Sequence, residues 1–490
     1  MKKLTVLMLI IFIVSTIAFG SFRTEVLEQT SAINKYLESS NLYWRAGFNE
    51  DLIKKYEAMG VGSLKELYSK LNGYIFLPEE VQNRLKAYIK ASYKTVQDSK
   101  IEIEGMTTTD DLIMSSIMMA RPGTVTEDTF YRLEPIRDQF LHGSCWSFAT
   151  SGAFESAEAI QKFGHPEGNE TNFLDYAERW SCFHNINWDI YYATHYDLVQ
   201  DKNSLEGGNS YFAMYNAIRY GMMEEGFAPY SDVFMGSEEE VPLPPNAVKA
   251  PLVKSNKTLM IPDAATYHEL GFTYDEYIGA IKSALVNYGS LAVAYSVPNS
   301  FLHYSKGIFT PISGDYPRSG HAVTLVGWVS IDDLDNVILA EKTCPDATPI
   351  LDEAITNFEY YDPTREGTFT TDIFWIVKNS WGYGFGDGGY FVFPAISEEE
   401  YNSENAGWWQ FEFEDNSMFV PIFDLTVKHS EDNLDINEDG VIDEDDFTAL
   451  IASVGATDTA TVNKCDISLP KDGVINGEDI ATWIYLFNNR

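Results

Sequence analysis

The stretch HGSCWSFAT, residues 142–150, contains one of only four cysteines in the chain and places it at the start of a helical pattern. Apolar and small residues recur at helical spacing after this cysteine, at Phe148, Ala149, Ala153, Ala157 and Ile160. The spacing predicts one long helix from Cys145 to Lys162. The positive end of a helix dipole stabilises a thiolate, so the position favours a nucleophile, whereas most cysteines are inert structural thiols.

The composition is typical of a large, acidic, folded protein. The chain has 490 residues, of which 45% are hydrophobic and 14% aromatic. This length predicts about two to four domains. The net charge of −39 repels nucleic acid and anionic membrane, so we expect neither as a partner. It also offers carboxylates to divalent cations.

The N-terminus is typical of a signal peptide over residues 1–20. Lys2 and Lys3 precede an almost wholly apolar run from Leu4 to Ile17, and small residues follow at Ala18 and Gly20. The run is short for a membrane span, and an uncleaved N-terminal anchor is the alternative. We expect a secreted protein with no membrane contact after signal removal, or one attached to the cell surface through its C-terminal domain.

The cysteine content of the chain is too low for a disulfide scaffold in an exported protein of this size. Folding therefore depends mostly on core burial. The four residues are Cys145, Cys182, Cys344 and Cys465. A pair between Cys182 and Cys344 is left open by the sequence.

The order of secondary-structure patterns predicts an α+β fold. Residues 21–120 have helical composition, with a clear helix over Pro78–Ala91. A second helix is predicted over Tyr211–Tyr220. Strand patterns follow, at residues 290–297, 321–328 and 372–381. Because helices come first and strands later, the fold is not an alternating βαβ type. Residues 395–430 are interpreted only as an edge element or a linker.

A reactive thiol needs partners that come from distant parts of the chain. His321 opens a strand-like run among small neighbours, and Asn379 ends another strand and could hold the histidine ring. The indole of Trp381 would shield such a hydrogen bond from water. Gln139, six residues before Cys145, carries an amide able to stabilise a developing oxyanion.

Five segments, in order, resemble those of the papain family of cysteine proteases. They begin with PIRDQFLHGSCWSFAT at residue 135 and EGGNSYFAMYNAIRYGMMEEGFAPY at residue 206. They continue with GSLAVAYSVPNSFLHYSKGIFTP, SGHAVTLVGW and WIVKNSWGYGFGDGGYFVF. The resemblance covers about 300 residues, and its order makes coincidence a poor explanation.

This resemblance implies a two-lobed fold, one lobe helical and the other a β-barrel, with the active site between them. It implies that Cys145 is the nucleophile, His321 the general acid and base, and Asn379 the residue that orients the histidine. Gln139 would complete the oxyanion hole. The substrate-binding residues would be Gly207, Gly208 and Trp381, with Gly208 bonded to the substrate backbone and Trp381 covering the Asn–His contact. No cofactor is expected for catalysis.

The chain departs from the family pattern in several places. His142 stands where the family usually has a cysteine three residues before the nucleophile. The interval between His321 and Asn379 is long, and the excess, roughly Ser330–Asp372, is interpreted as an insertion that contains Cys344. Its effect on subsite preference is open. The histidine pair of an occluding loop is absent from the sequence, so we expect endopeptidase rather than exopeptidase activity.

The segment INKYLESSNLYWRAGFNEDL, from Ile33, resembles a propeptide of the cathepsin B type, with matches at Trp44, Ala46, Gly47 and Asn49. Such a segment implies synthesis as an inhibited precursor. The alternative is that residues 21–120 form a permanent helical domain.

The C-terminus contains a weak repeat of carboxylate-rich loops, each followed by an apolar helix. The oxygen ligands have the spacing of a calcium loop and the pair resembles a dockerin, a small all-α domain. The predicted ligands are Asp435, Asn437, Asp439, Val441, Asp443 and Asp446 in the first loop, and Asp466, Ser468, Asp472, Val474, Asn476 and Asp479 in the second. A dockerin-like pair implies a cohesin-type scaffold as partner; solvated acidic turns are the alternative.

The expected organisation is a signal peptide at 1–20, a helical pro-segment at 21–120, a papain-like peptidase domain at 121–425 and a calcium-binding dockerin-like domain at 430–490. We expect a cysteine endopeptidase that acts on proteins or peptides. Two alternatives are a catalytically silent papain-fold binding protein and an acyl transferase of the transglutaminase kind. The four catalytic groups argue against the first, and the order of the motifs argues against the second.

Overall fold

The computed structural model describes most of the chain between residues 21 and 423 and a smaller part of the C-terminal region. The predicted signal peptide lies outside the described residues. The described residues are 21–94, 117–120, 123, 125, 128–130, 133, 135–163, 174–187, 202–205, 207–231, 240–312, 315, 319–341, 344, 347–362, 367–403, 418–423, 436–437, 444–456, 461, 465, 475 and 483.

The elements are numbered here in chain order. The helices are α1 (Phe22–Ser40), α2 (Glu50–Ala58), α3 (Leu64–Leu71), α4 (Glu79–Lys94), α5 (Cys145–Gln161), α6 (Glu178–Phe183), α7 (Ser210–Arg219), α8 (Ala264–Glu269), α9 (Tyr274–Tyr288), α10 (Glu398–Tyr401) and α11 (Glu444–Ser453). The strands are β1 (Trp44–Ala46), β2 (Ile117–Met119), β3 (Thr129–Phe130), β4 (Met222–Met223), β5 (Leu252–Val253), β6 (Lys257–Ile261), β7 (Leu291–Val297), β8 (Tyr304–Gly307), β9 (Ser319–Ser330), β10 (Glu359–Asp362), β11 (Gly367–Thr370), β12 (Ile373–Lys378), β13 (Tyr390–Pro394) and β14 (Met418–Ile422).

Helix α5 is the element around which the rest of the fold is packed. Every residue from Cys145 to Ala159 is buried, and most of them are apolar or small, with Glu155 and Glu158 as buried carboxylates. The small residues allow close packing, since a methyl group at Gly152 would lie 2.9 Å from the Thr324 hydroxyl on β9. The helix predicted from Cys145 to Lys162 is therefore confirmed to within one residue.

The main sheet runs in the order β13-β12-β9-β7-β14-β6-β2, with β3 paired to β9. The predicted strands at 290–297, 321–328 and 372–381 are confirmed as β7, β9 and β12. The neighbouring pairs are antiparallel except β2 with β6. Antiparallel pairing of β9 with both β7 and β12 brings His321 and Asn379 to the same region of the sheet.

The interpretation of residues 395–430 as an edge element or linker is wrong for residues 418–422. Strand β14 lies inside the sheet, where it pairs with β6 along its whole length and with β7 at Phe419. All five residues of β14 are buried. A strand buried on both faces lacks the alternation of polar and apolar residues by which strands are recognised in sequence.

The N-terminal helices pack as one unit against the rest of the protein. Side-chain caps begin α2 and α3, because Asn49 accepts from the Asp51 N–H at 2.8 Å and Ser63 accepts from the Glu66 N–H at 3.2 Å. Their apolar faces join a core cluster that also contains residues of β7, β8 and β9. Strand β1 pairs antiparallel with β8. Burial of this shared surface holds the N-terminal helices on the sheet.

The insertion predicted at 330–372 shares an apolar cluster with the main sheet. Strands β10 and β11 form an antiparallel pair, and apolar residues of the insertion pack with β9, β12 and β13. Tyr43, from the N-terminal region, packs against this cluster, with its ring 5.3 Å from that of Phe358. Cys182 is buried and Cys344 is exposed, and both are free thiols, so the pair that the sequence left open is not formed.

The described part of the C-terminal region has a small apolar core. Its buried members are Ile436, Leu450, Cys465, Ile475 and Trp483. The Gly455 N–H donates to the Ile475 carbonyl at 3.1 Å, which connects the first half of the repeat to the second. Across the described residues, no helix is long and apolar enough to cross a membrane.

Gly289 tests the packing of α5 against the start of β7. It has a φ of 119°, and a methyl group there would lie 2.7 Å from the Ala157 Cα on α5. Gly271 has a φ of 89° but no atom within 4 Å of the same position. Gly271→Ala should cost about 1–2 kcal/mol of unfolding free energy through backbone strain alone. Gly289→Ala should cost about 1–3 kcal/mol more, because the backbone of α5 must shift.

Urea unfolding of the two variants and the parent chain measures this difference. Equal midpoints for Gly289→Ala and Gly271→Ala would contradict the close packing of α5.

Candidate active site

The nucleophile predicted at Cys145 is the first residue of α5 and is buried. The backbone N–H of Ala322 on β9 donates to Cys145 Sγ at 3.4 Å. Because Ala322 follows His321 directly, this contact places the histidine residue beside the thiol although 176 positions separate them in the chain. The start of the central helix and strand β9 of the sheet therefore meet at the predicted catalytic pair.

The ring of His321 is held at Nε2 by Asn379, the residue directly after β12. His321 Nε2 lies 2.8 Å from Asn379 Oδ1, and the same oxygen accepts from the Ser380 N–H at 2.8 Å. Since the amide oxygen accepts, Nε2 carries the proton in the neutral ring and Nδ1 carries the lone pair. Within the described structure, His321 Nδ1 is buried and has no hydrogen-bond partner. This nitrogen is available as a base.

Trp381 covers the contact between His321 and Asn379. Its ring centroid lies 4.7 Å from that of His321, and its side chain is buried. An apolar cover excludes water from the hydrogen bond and lowers the local dielectric constant, which strengthens the bond. The geometry agrees with the covering role expected for Trp381.

Gln139 is buried and fixed through its backbone and its side chain. Its N–H donates to the Ser380 carbonyl at 2.8 Å, and its Oε1 accepts from the Ser380 hydroxyl at 2.6 Å. The side-chain amide nitrogen Nε2 donates to the carbonyls of His142 at 2.7 Å and of Leu71 at 3.0 Å. Leu71 ends helix α3 of the N-terminal region. The predicted oxyanion donor thus already holds a carbonyl oxygen from the chain's own N-terminal region.

Residues 71–77 cross the site, and after α3 ends at Leu71 their backbone pairs on both sides. Gly208 N–H donates to the Gly73 carbonyl at 2.9 Å, and the Gly208 carbonyl accepts from the Ile75 N–H at 2.8 Å. On the other side, Tyr74 N–H donates to the Gly320 carbonyl at 3.1 Å. The Cβ of any larger residue at Gly73 would lie 2.0 Å from the Gly143 carbonyl oxygen. The predicted substrate-binding residue Gly208 therefore binds a peptide backbone in this structure.

Gly207 provides the turn that presents Gly208 to this backbone. It has a φ of 67°, in the left-handed region that glycine adopts most easily. Its carbonyl accepts from the Asn185 side-chain amide at 2.6 Å. No larger residue fits here, because a methyl group would lie 2.9 Å from the Gly73 carbonyl oxygen.

The catalytic pair is electrically neutral under this cover. Burial raises the pKa of the Cys145 thiol to about 11, against hydrogen bonds from the Ala322 and Gly73 N–H groups that favour the thiolate. Burial also lowers the pKa of His321 to about 4, against the hydrogen bond to Asn379. Between about pH 4 and pH 11 the stable forms are therefore the thiol and the neutral imidazole. Desolvation therefore disfavours both the Cys145 thiolate and the His321 imidazolium.

Several residues at this site were not singled out by the sequence. Ser380 fixes the Gln139 amide, and the Tyr230 hydroxyl lies 3.1 Å from the Gln139 carbonyl and 2.8 Å from the Ser144 hydroxyl. Asn209 caps α7 and also donates to the Tyr74 hydroxyl and the Ile75 carbonyl. The position of Asn209 next to the Gly207–Gly208 pair was an available signal, but an asparagine before a helix predicts only a cap.

The predicted calcium ligands are described only at Asn437 and Asp446. Asp446 is buried, and its Oδ1 accepts from the Asn437 N–H at 3.0 Å. The other predicted ligands lie outside the described residues: Asp435, Asp439, Val441, Asp443, Asp466, Ser468, Asp472, Val474, Asn476 and Asp479. In the part of the chain that is described, no group of three or more His, Cys, Asp or Glu side chains is arranged to hold a metal ion.

Comparison with known proteins gives one family match and several similar proteins. The model of the papain family cysteine proteases matches residues 125–407, more than half of the chain. A cysteine protease of Blomia tropicalis is 24% identical over 263 residues, which cover 53% of this chain and 57% of that protein. Pro-cathepsin H of Mus musculus is 25% identical over 262 residues, which cover 53% of this chain and 56% of that protein. The chain spans a little over half the length of these curated relatives.

A solved structure, that of the digestive procathepsin L 3 of the Tenebrio molitor larval midgut, superimposes with a TM-score of 0.44. The superposition covers 82% of this chain and 90% of that one, at 15% sequence identity.

Asn379→Ala tests the orientation of His321. Without the amide oxygen the ring is free to turn, and a misplaced base of this kind costs about 10²-fold in kcat. We expect a loss of that size in peptide hydrolysis by the chain after removal of the N-terminal segment, with KM changed much less. The control is Asn287→Ala, an exposed asparagine on α9 that is bonded to Ser283. Equal kcat values for the two variants would contradict the orienting role of Asn379.

Proposed function

The chain belongs to the papain family of cysteine proteases, and we propose that it is an exported cysteine endopeptidase made as an inhibited precursor. The observation that carries the proposal is the junction of α5 with β9 and β12. There the Ala322 N–H contacts Cys145 Sγ at 3.4 Å, and Asn379 Oδ1 holds His321 Nε2 at 2.8 Å. The fold is papain-like α+β. That the sheet forms the β-barrel lobe of a two-lobed molecule is part of the proposal.

The proposed chemistry uses side chains and water, since papain-family catalysis needs no cofactor. His321 takes the Cys145 proton, and the thiolate attacks the carbonyl carbon of a peptide bond. The imidazolium then gives that proton to the leaving amine, and the C–N bond breaks to leave a thioester. His321 next removes a proton from water. The resulting hydroxide attacks the thioester carbon, the C–S bond breaks to release the acid product, and the His321 imidazolium returns its proton to the Cys145 sulfur.

Gln139 is proposed to stabilise the negative oxygen of each tetrahedral intermediate. The support is its present geometry, in which Nε2 donates to the Leu71 carbonyl at 3.0 Å. Its own position is maintained by two contacts with Ser380, so the amide need not reorganise when the substrate replaces Leu71. A donor fixed in advance is worth about 3–4 kcal/mol of transition-state stabilisation in comparable sites.

Residues 21–120 are proposed to be the pro-segment and 121–425 the peptidase domain. Three contacts support this division besides the crossing of the site by residues 71–77. Strand β1 pairs with β8, and the Thr30 hydroxyl lies 2.8 Å from Nδ1 of the buried His303. Arg45 forms an ion pair with Asp352 of the insertion. The segment both excludes substrate and, by burial, keeps Cys145 and His321 neutral.

The C-terminal region, residues 430–490, is proposed to be a calcium-binding, dockerin-like domain that attaches the enzyme to a cohesin-type scaffold. Its support is the ligand spacing of the two loops and the contact between the Asn437 N–H and the buried Asp446. A carboxylate at the last loop position that also bonds to the loop backbone is compatible with a calcium loop. Export rests on the N-terminal sequence pattern.

Labelling of Cys145 tests the proposed activity. A thiol-directed epoxide should modify Cys145 in the matured chain, once per molecule, and abolish casein hydrolysis in proportion to labelling. The precursor with its pro-segment intact should label at least about 10²-fold more slowly, because its sulfur is a buried thiol. Cys145→Ser should show neither labelling nor measurable hydrolysis. Full hydrolysis after complete labelling would reject the mechanism.

Calcium binding to the full chain tests the proposed tail. Asp435→Ala removes a predicted ligand at the first loop position, whereas Asp445→Ala changes an exposed carboxylate that is not a predicted ligand. Loss of one carboxylate ligand should weaken calcium binding at that loop by about 10-fold or more, since affinity depends on the number of charged ligands. Calorimetric titration with calcium measures the affinity of each variant and of the parent chain. A full chain that does not bind calcium, or two variants with equal affinity, would reject the calcium site.

A further inference from the structure

Asp138, the residue before the proposed oxyanion donor, holds a cation that comes from the N-terminal region. Its Oδ2 forms an ion pair with Nζ of Lys55 on α2. Both side chains are partly buried, with exposed fractions of 28% for Asp138 and 22% for Lys55. Partial burial shields the pair from water and salt, so the attraction is stronger than between two charges on the open surface.

The other carboxylate oxygen of Asp138 is bonded to the backbone. Oδ1 accepts from the Phe140 N–H at 2.8 Å, which fixes the orientation of the carboxylate. Gly382 leaves room for Oδ2, since a methyl group at this glycine would lie 2.9 Å from that oxygen. One oxygen of Asp138 therefore faces the loop, and the other faces the ammonium group of Lys55.

Phe140 presents an aromatic ring to the same cation. Lys55 Nζ lies 5.3 Å from the centroid of this ring, within the range of a cation–π contact. Phe140 has a φ of 55°, a left-handed conformation that is unfavourable for an aromatic residue. Its N–H bond to Asp138 and the parallel ring of Tyr230, 6.4 Å away, support this conformation. Strained residues of this kind are concentrated at sites that bind ligands.

The neighbours of Asp138 indicate where this cation site lies relative to the scissile bond. Asp138 forms an antiparallel bridge with Trp381, whose ring covers His321, the residue proposed to protonate the leaving amine. Gly208 instead binds the crossing segment two residues past its contact with Gln139. These neighbours favour the leaving-group side of the scissile bond for the cation site.

We propose that the mature enzyme selects peptides with a lysine or arginine on the leaving-group side of the cleaved bond, in the subsite that Lys55 occupies in the precursor. Asp138 binds the charge of this side chain, and the Phe140 ring packs against it. The inference rests on the proposed peptidase function, with residues 21–120 as its pro-segment, and names the substrate class. Acidic side chains are rejected at this subsite, because a second carboxylate is repelled by Asp138.

The matured enzyme and quenched fluorescent peptides give the first test. The peptides differ only by lysine, glutamine or glutamate, placed in turn at each of about three positions on either side of the cleaved bond. At one position on the leaving-group side, kcat/KM for lysine should exceed that for glutamine by about 10-fold. Glutamate should be cleaved more slowly than glutamine at the same position. Raising the salt concentration to about 1 M should reduce the lysine preference.

Two variants test the two groups of the subsite. Asp138→Asn keeps an oxygen that accepts from the Phe140 N–H but removes the charge, so the ratio of lysine to glutamine should fall to about one. Phe140→Leu removes the aromatic ring and should lower the ratio by about 2- to 5-fold. The matched control, Asp275→Asn, changes an exposed carboxylate in the first turn of α9 and should keep the parent ratio.

Three results would overturn the proposal: equal rates for lysine and glutamine at every leaving-side position, a lysine preference confined to the acyl side, or a preference that survives in Asp138→Asn. Absence of any hydrolysis that depends on Cys145 would instead reject the proposed function on which the inference rests. A second measurement is therefore made without catalysis.

That measurement uses the full-length precursor carrying Cys145→Ala. Its lysines are modified with an amine-directed reagent, and mass spectrometry compares the rate at Lys55 with that at Lys54, whose side chain is 61% exposed. Lys55 should react several-fold more slowly than Lys54. Asp138→Asn should remove most of this difference and leave the rate at Lys54 unchanged. Equal rates in the parent, or protection of Lys55 that Asp138→Asn does not reduce, would show that Asp138 does not hold the cation and would overturn the proposal.

Discussion

The site depends on the contact between the start of α5 and strand β9, where the Ala322 N–H meets Cys145 Sγ. A helix buried on all sides can approach a sheet this closely only if its residues are small, and Gly152 and Ala153 provide that. The sulfur and the imidazole come from positions far apart in the chain, so no local interaction could bring them together. Packing of the central helix on the sheet is thus a condition for catalysis as well as for stability.

The same burial that builds the site also silences it. While residues 71–77 lie across the site, desolvation outweighs the hydrogen bonds from backbone N–H groups to the sulfur, and Cys145 and His321 remain neutral. Gln139 donates to the Leu71 carbonyl of the N-terminal region, and Gly208 bonds to the backbone of residues 73 and 75. The groups proposed to act on a substrate therefore lie together at one site while residues 71–77 cover it.

The sequence predicted the parts of this arrangement that have local patterns. Helix α5 and strands β7, β9 and β12 lie within a few residues of their predicted positions, because helical spacing and β-prone runs are properties of short windows. Strand β14 was missed because burial on both faces removes alternation. The contact of Asn209 with Tyr74 joins residues 135 positions apart, and no window of sequence contains it. The roles of Cys145, His321, Asn379 and Gln139 came from residue chemistry and from the order of family motifs, and these roles stay predictions.

The most direct test of the account is the ionisation state of Cys145 before and after removal of the pro-segment. It is measured at about pH 7 as the ultraviolet absorbance of a thiolate that disappears on alkylation, with Cys145→Ala as the blank. The account predicts no thiolate at this position in the precursor and close to one per molecule in the matured chain, lost again in His321→Ala. A full thiolate in the precursor, or a matured chain that hydrolyses peptides with Cys145 still a thiol and indifferent to His321, would contradict it.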